Sequence, residues 1–273
     1  MNLIQVSKED KRRIQSLELE IMEEIDRICK KYNIKYTLAY GTLIGAIRHN
    51  GFIPWDDDID IAMLRPEFNK FREVCKTELG DRFFYQSHKT DPEYYYLFDK
   101  VRLNNTIFKE SFLSKYKIHH GVYIDIFPVD YMAKKTICKK LQYSMFRILK
   151  AGLASKYLML RAREGKKKYQ AAALRVIFFP FSIDFLYRLS EKIATKYLNS
   201  GSNTVINFFT PYRLKEIFNE SVYKEYDEHI FEGRNFSIIK NYDLFLKQIY
   251  GNYMQLPPVE KRDTRHTITE LKL

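Results

Sequence analysis

The stretch Tyr36 to Met63, YTLAYGTLIGAIRHNGFIPWDDDIDIAM, decides the fold of this 273-residue chain. It begins as a β-rich run, breaks at Gly41 and ends in an acidic run that alternates with isoleucine. If Asp58 to Met63 is a strand, its side chains alternate between two faces, and Asp56, Asp58 and Asp60 share one of them. Crowded carboxylates repel one another unless a cation lies among them. Mg²⁺ and Mn²⁺ are hard ions that suit such oxygen ligands.

A third acid lies in a later apolar run. Only Asp125 interrupts the residues from Val122 to Phe127. A buried acid in such a run needs a partner, and a metal shared with Asp58 and Asp60 would supply one. Two alternatives stay open for Asp125: a structural acid that caps a turn, and a general base acting on an acceptor hydroxyl.

Candidate phosphate ligands lie around these acids. A glycine at position 41 lets backbone amides approach a phosphate, and the helix start at Thr42 favours an anion, although an ordinary tight turn would look the same. Arg48 suits a phosphate oxygen or, equally, the C-terminal end of a helix. Lys100 and Arg102 share one face of a predicted strand, where they meet either a phosphate, an acceptor or only solvent.

Together these motifs resemble those of polymerase-β-like nucleotidyltransferases. Such proteins carry a glycine and a small polar residue at a strand-to-helix turn, then an acid-apolar-acid strand, then a third acid between apolar residues. The strings GTLIGAIRHNGFIPWDDDIDIAM and GVYIDIFPVD are more specifically similar to the LicD family, which is related to fukutin-type proteins. The resemblance covers Tyr36 to Asp130 and Tyr250 to His266.

The resemblance implies an α+β fold with a polymerase-β-like nucleotidyltransferase core of mixed sheet and flanking helices, and the composition of the chain predicts an inserted basic helical region. The expected division is a catalytic core at residues 1–130, a basic and aromatic helical region at 131–200, and an α+β segment at 201–273 that completes the site.

The site implied by the resemblance has two groups of residues. The catalytic and metal-binding carboxylates, which would hold two Mg²⁺ or Mn²⁺ ions, are Asp58, Asp60 and Asp125. The residues expected to bind a CDP-alcohol donor are Gly41, Thr42, Arg48, Lys100 and Arg102. From the tail, Arg262, Arg265 and His266 are expected to close over the donor phosphates.

The resemblance implies an enzyme that transfers a phospho-alcohol group from a CDP-linked donor and releases CMP. The acceptor is a sugar hydroxyl of a cell-surface glycan or teichoic acid precursor, and phosphocholine is the first candidate for the transferred group. Ribitol phosphate and glycerol phosphate are alternative cargoes. An NTP-dependent nucleotidyltransferase that releases pyrophosphate is a second hypothesis. A non-catalytic binding module is a third, and the intact acid set argues against it.

The positive charge is concentrated in one segment. The chain has a formal net charge of +12. Residues 131–168 contain twelve basic residues and one acid, so this segment carries most of that charge. The helical region 133–199 is either the core of a helical subdomain or a basic and aromatic surface at an anionic membrane. No nucleic-acid motif is present, so no nucleic-acid partner is expected.

Periodicity and turn residues predict the remaining elements. The expected helices are Ser7–Tyr32, Pro66–Leu79 and Asn241–Tyr250. The expected strands are Phe83–Gln86, Tyr94–Leu103 and Asn203–Thr210, with a hairpin at Tyr223–Ile238. Three unpaired cysteines, no signal-peptide pattern and no uninterrupted apolar span favour a cytoplasmic protein. The basic segment adds the expectation of peripheral contact with the membrane.

Overall fold

The computed structural model describes residues 3–156, 166–262 and 266–273, which form an α+β fold with a mixed sheet flanked by helices. The helices are α1 (Lys8–Tyr32), α2 (Tyr40–His49), α3 (Arg65–Glu78), α4 (Thr136–Lys156), α5 (Lys166–Phe178), α6 (Ile183–Thr195) and α7 (Tyr242–Tyr250). The strands are β1 (Thr37–Leu38), β2 (Asp60–Leu64), β3 (Phe83–Gln86), β4 (Asp99–Leu103), β5 (Ile107–Glu110), β6 (Tyr123–Tyr131), β7 (Thr204–Ile206), β8 (Phe218–Asn219), β9 (Tyr226–Phe231), β10 (Arg234–Ile239) and β11 (Ile268–Lys272).

The main sheet has the order β1-β2-β6-β4-β3, and β7 and β8 continue it beside the C-terminal end of β6. Strands β2 and β6 are parallel, and the other neighbours are antiparallel. Strand β6 therefore lies at the centre, which explains its almost continuous apolar sequence. A separate pair, β5 and β11, brings the end of the chain back beside the main sheet.

Side-chain hydrogen bonds fix the start of α1 and the position of α3 on the sheet. The Ser7 hydroxyl accepts a hydrogen bond from the Asp10 amide, and the Asp10 carboxylate accepts one from the Ser7 amide, so a capping box begins the predicted helix α1. Arg72 of α3 donates to Asp99 of β4. Because side chains alternate along a strand, α3 covers the face of the sheet opposite to Lys100.

Some predicted boundaries are wrong for local reasons. The β-rich run Tyr36–Tyr40, expected to be the first strand, forms a strand of only two residues, because Tyr40 has a left-handed φ of 49° and begins α2. The acidic strand begins at Asp60 rather than Asp58, so Asp56 and Asp58 lie in the preceding loop. Strict alternation therefore does not explain how these two carboxyl groups reach the site.

Other differences concern the longer segments. The predicted helical region contains α4, α5 and α6, with a break at Pro180 between α5 and α6, and its residues 157–165 lie outside the described residues. The strands predicted at 94–103 and 203–210 are shorter, and the pairing of β5 with β11 was not predicted. The hairpin β9–β10 and helix α7 are confirmed. The division into three regions stays a prediction.

Within the described residues, no helix has both the length and the apolar character needed to cross a membrane.

Candidate active site

Three charged side chains form one row across the centre of the sheet. Asp60 at the start of β2 is the register partner of Asp125 on β6, and Asp125 is the partner of Lys100 on β4. Register partners on neighbouring strands point to the same face of a sheet. The structure therefore brings Asp60 and Asp125 together on the face that α3 leaves uncovered, although they are far apart in the sequence.

Two further acids join this row from the loop before β2. The pKa of Asp60 is raised first by burial and then by the negative charges of Asp58 and Asp125. Burial and then the charge of Asp58 raise the pKa of Asp56 to about 8. The four carboxyl groups thus lie close enough to repel one another, and a bound cation would relieve that repulsion.

Lys100 and His266 partly balance these acids. Burial raises the pKa of Asp125, and Lys100, whose ammonium donates to its Oδ1, acts against this. That ammonium also lies 3.4 Å from the centroid of the Tyr123 ring, which is a cation–π contact. Burial likewise raises the pKa of Asp58, and the positive charge of His266 opposes it.

His266 reaches these acids because β11 pairs with β5. Its Nδ1 lies 3.0 Å from Oδ1 of Asp57, and its Nε2 lies 3.4 Å from the hydroxyl of Tyr123. Burial acts to lower the pKa of His266, but the hydrogen bond with Asp57 and the charge of Asp58 outweigh it and raise the pKa to about 9. His266 is therefore a cation at neutral pH. No signal in the sequence identified Asp57 as its partner.

The chemistry of this donor set fits a divalent cation, since carboxylate oxygens are the ligands that Mg²⁺ and Mn²⁺ prefer. Oδ2 of Asp57 is a further buried oxygen without a hydrogen-bond partner among the described residues. Across those same ranges, however, no three His, Cys, Asp or Glu side chains already stand in an arrangement that could hold a metal ion. Lys100 engages Asp125 and His266 engages Asp57, so metal binding by Asp58, Asp60 and Asp125 stays a prediction.

The glycine turn lies directly beside the acids. A Cβ at Gly41 would come within 2.7 Å of Oδ2 of Asp56, so glycine leaves room for that carboxylate. The Thr42 hydroxyl accepts a hydrogen bond from the Asp60 amide at 2.8 Å and ties the turn to β2. Amides in the first turn of a helix have no acceptor within the helix, so this turn offers donors to a phosphate.

A second group of cations lies between the end of α2 and the tail. Nη1 of Arg48 donates to the carbonyl of Tyr253, and the guanidinium of Arg262 lies 5.3 Å from the centroid of a ring of Trp55. Burial and then the charge of Arg262 lower the pKa of Arg48, so the two guanidinium groups are near neighbours. We call Arg48 and Arg262 the arginine pair. The third predicted tail cation, Arg265, lies outside the described residues.

Arg102 is buried, and its guanidinium contacts other groups of the protein. Its guanidinium donates to Oε1 of Gln86 and to the carbonyl of Gly121, and it lies 4.7 Å from the centroid of the Tyr123 ring. Its Nη2 is buried without a hydrogen-bond partner in the described part of the chain. Its predicted contact with a donor stays a prediction.

Comparison with known proteins identifies a family that matches the segment holding the acids. Residues 33–150, which contain the glycine turn, the acidic loop and the acidic strands, match the family model LicD/FKTN/FKRP, nucleotidyltransferase domain. The chain is 32% identical over 260 residues to the lipopolysaccharide cholinephosphotransferase LicD of Haemophilus influenzae, covering 91% of this chain and 92% of that protein. It is also 40% identical over 55 residues to an uncharacterized protein of Rickettsia typhi, covering 20% of this chain and 18% of that protein.

These matches, on a chain whose acids meet beside a glycine turn, define an enzyme of the transferase class. The chain belongs to the LicD family, as the resemblance of its motifs predicted.

Proposed function

We propose that this LicD-family transferase moves a phospho-alcohol group, with phosphocholine as the first candidate, from a CDP-linked donor to a hydroxyl group of a glycan. The observation that carries the proposal is the row of Asp60, Asp125 and Lys100, which two loop acids join. The likeness to a protein named lipopolysaccharide cholinephosphotransferase supports phosphocholine as the cargo and a lipopolysaccharide glycan as the acceptor.

We interpret the sheet β1-β2-β6-β4-β3 as the polymerase-β-like nucleotidyltransferase core. Two acids on adjacent parallel strands, next to a strand-to-helix turn with glycine, support this interpretation. The C-terminal segment completes the site, because His266 and Arg262 both come from it.

The transfer step needs one bond formed and one broken. The oxygen of the acceptor hydroxyl attacks the distal phosphorus of the CDP-alcohol, and the bond from that phosphorus to the bridging oxygen breaks. CMP leaves with that oxygen and its electron pair, and a carboxylate oxygen of Asp125 takes the hydroxyl proton. Mg²⁺ or Mn²⁺ held by Asp58, Asp60 and Asp125 would neutralise the pyrophosphate charge.

The residues on the donor side are cationic or present amides. The turn at Gly41 and Thr42 offers amides to one phosphate, and the arginine pair offers guanidinium groups, which match phosphate geometry well. Lys100 stabilises the carboxylate of Asp125 in its ionised form, which is the form that accepts a proton.

The test is a donor panel with the purified full chain. CDP-choline, CDP-ribitol, CDP-glycerol or CTP is supplied with Mn²⁺ and a truncated lipopolysaccharide, and the released CMP and pyrophosphate are measured. We expect CMP from CDP-choline, and a loss of at least about a hundredfold in Asp60→Asn. Glu9→Gln, a change at an exposed carboxylate of α1, is the matched control and should keep full activity.

The other outcomes are distinct. Pyrophosphate from CTP would support the NTP-dependent alternative, and CMP from CDP-ribitol or CDP-glycerol alone would identify a different alcohol. Release of no product from any donor, or full activity in Asp60→Asn, would contradict the proposal.

A further inference from the structure

The helices after β6 expose an unusual share of apolar surface. Of nineteen large apolar side chains that are exposed in the described residues, ten lie between positions 137 and 185. We call them the apolar helical surface. They are Ile137, Leu141, Met145, Ile148, Tyr169, Val176, Ile177, Phe179, Phe181 and Phe185.

On α4 these side chains form one stripe. The four that α4 contributes are spaced by four, four and three residues and so lie on one side of the helix, while Phe146 and Leu149 are buried on another side. Gly152 continues the stripe, and a Cβ there would lie 2.7 Å from the ring of Phe178. Helix α5 therefore packs on the end of the stripe, and the apolar surface runs from α4 onto α5.

On α5 the outward side is apolar as well. Among its described side chains only Phe178 is buried, whereas Tyr169, Val176 and Ile177 are 77%, 74% and 61% exposed. A helix that packs on its neighbour through so few side chains leaves its outward apolar side without a partner in the described chain. The rings of Phe181 and Phe185 stack 5.5 Å apart at the corner that follows.

The positive charge around this surface indicates what kind of partner would bind it. Residues 131–190 contain fourteen basic residues and two acids. Lys140 and Arg147 are exposed beside the α4 stripe and Arg175 is exposed on α5, while the acid Asp184 is paired with Arg188. Two copies of so basic a face would repel each other, whereas anionic lipid headgroups would attract it.

We propose that the apolar helical surface docks on a membrane that carries anionic lipids. The apolar side chains enter the interface between headgroups and acyl chains, and the basic side chains contact lipid phosphates. This inference stands on exposure and charge alone and does not depend on the proposed function.

The test is flotation of the purified full chain with vesicles of phosphatidylcholine, alone or mixed with phosphatidylglycerol. We expect binding only to the mixed vesicles, weakening as salt is raised. The variant I137S/L141S/I148S should bind at least about tenfold more weakly, because three apolar side chains leave the interface. The variant K140E/R147E should bind at least about twentyfold more weakly, at about fivefold for each charge removed.

Matched controls carry the same types of change elsewhere on the surface. They are L214S/I230S/L244S, at exposed apolar positions, and K8E/R12E, at exposed basic positions of α1. Both should bind as the unmodified chain does, and equal thermal unfolding would show that every variant is folded. Equal binding to both vesicle types, or equal losses in the controls, would overturn the proposal. So would a dimer without vesicle binding that I137S/L141S/I148S converts to a monomer, since the surface would then join two copies.

Discussion

Lys100 and Asp125 form a buried ion pair on neighbouring antiparallel strands, with the ammonium between the carboxylate and the face of the Tyr123 ring. Removing one partner of a buried pair leaves the other charge uncompensated. We expect Lys100→Met to lower the free energy of unfolding by about 3 kcal/mol, measured in urea. Asp125→Asn in the same chain should recover at least about 1 kcal/mol, because neither charge remains. If the losses in free energy of unfolding caused by Lys100→Met and by Asp125→Asn simply added in the double variant, the two groups would not be coupled.

Because the acids are crowded, we expect Asp60→Asn to stabilise the fold without metal and to abolish the stabilisation that metal gives. Burial and the neighbouring charges raise the pKa of Asp60, so its ionised form destabilises the fold as the pH rises. With a chelator at about pH 8, Asp60→Asn should therefore unfold at a higher temperature than the unmodified chain. Added Mn²⁺ should stabilise the unmodified chain and not the variant. If Mn²⁺ stabilised both proteins equally, Asp60 would not be a ligand of the metal.

A buried carboxyl group outside the set of Asp56, Asp58, Asp60 and Asp125 predicts a pH effect. Glu216 accepts hydrogen bonds from Thr210 at 2.6 Å and from Tyr40 at 3.3 Å, and burial nevertheless raises its pKa to about 7. A raised carboxyl pKa stabilises the fold fully at low pH, and this stabilisation is lost as the pH rises from 4.5 to about 7.

Glu216→Gln should remove that loss. Relative to the unmodified chain, its free energy of unfolding should rise by about 3 kcal/mol between about pH 4 and about pH 8, measured in urea. Glu225→Gln, at an exposed carboxylate paired with Lys240, is the control and should change this difference little. The same pH dependence in Glu216→Gln and the unmodified chain would mean that folding does not raise the pKa of Glu216.

The glycine turn predicts a difference between two glycine variants. Gly41→Ala should displace the carboxylate of Asp56, because the new Cβ would lie 2.7 Å from its Oδ2. At Gly80 the nearest atoms would be 3.8 Å away, so Gly80→Ala should be tolerated. We expect Mn²⁺ affinity, measured by calorimetric titration, to fall about tenfold in the first variant and to stay unchanged in the second. Equal affinities would show that the position of the Asp56 carboxylate does not affect Mn²⁺ binding.

Local patterns predicted much of the fold because the interactions behind them are local. Helix α1 follows from apolar residues at spacings of three and four and from the cap at Ser7, and the β9–β10 hairpin follows from the turn at Gly233. Boundaries were less predictable where the backbone is strained. The left-handed φ of Tyr40 shortens the first strand, and no residue pattern announces that conformation.

The sequence by itself determined the family, the acids and the glycine turn, because these are motifs of adjacent residues. Only the tertiary structure decided which charge meets which. Strand register places Asp125 between Asp60 and Lys100, and the return of β11 onto β5 brings His266 to Asp57. Such pairings join residues far apart in the chain, so they depend on register and packing, which local spacing does not encode.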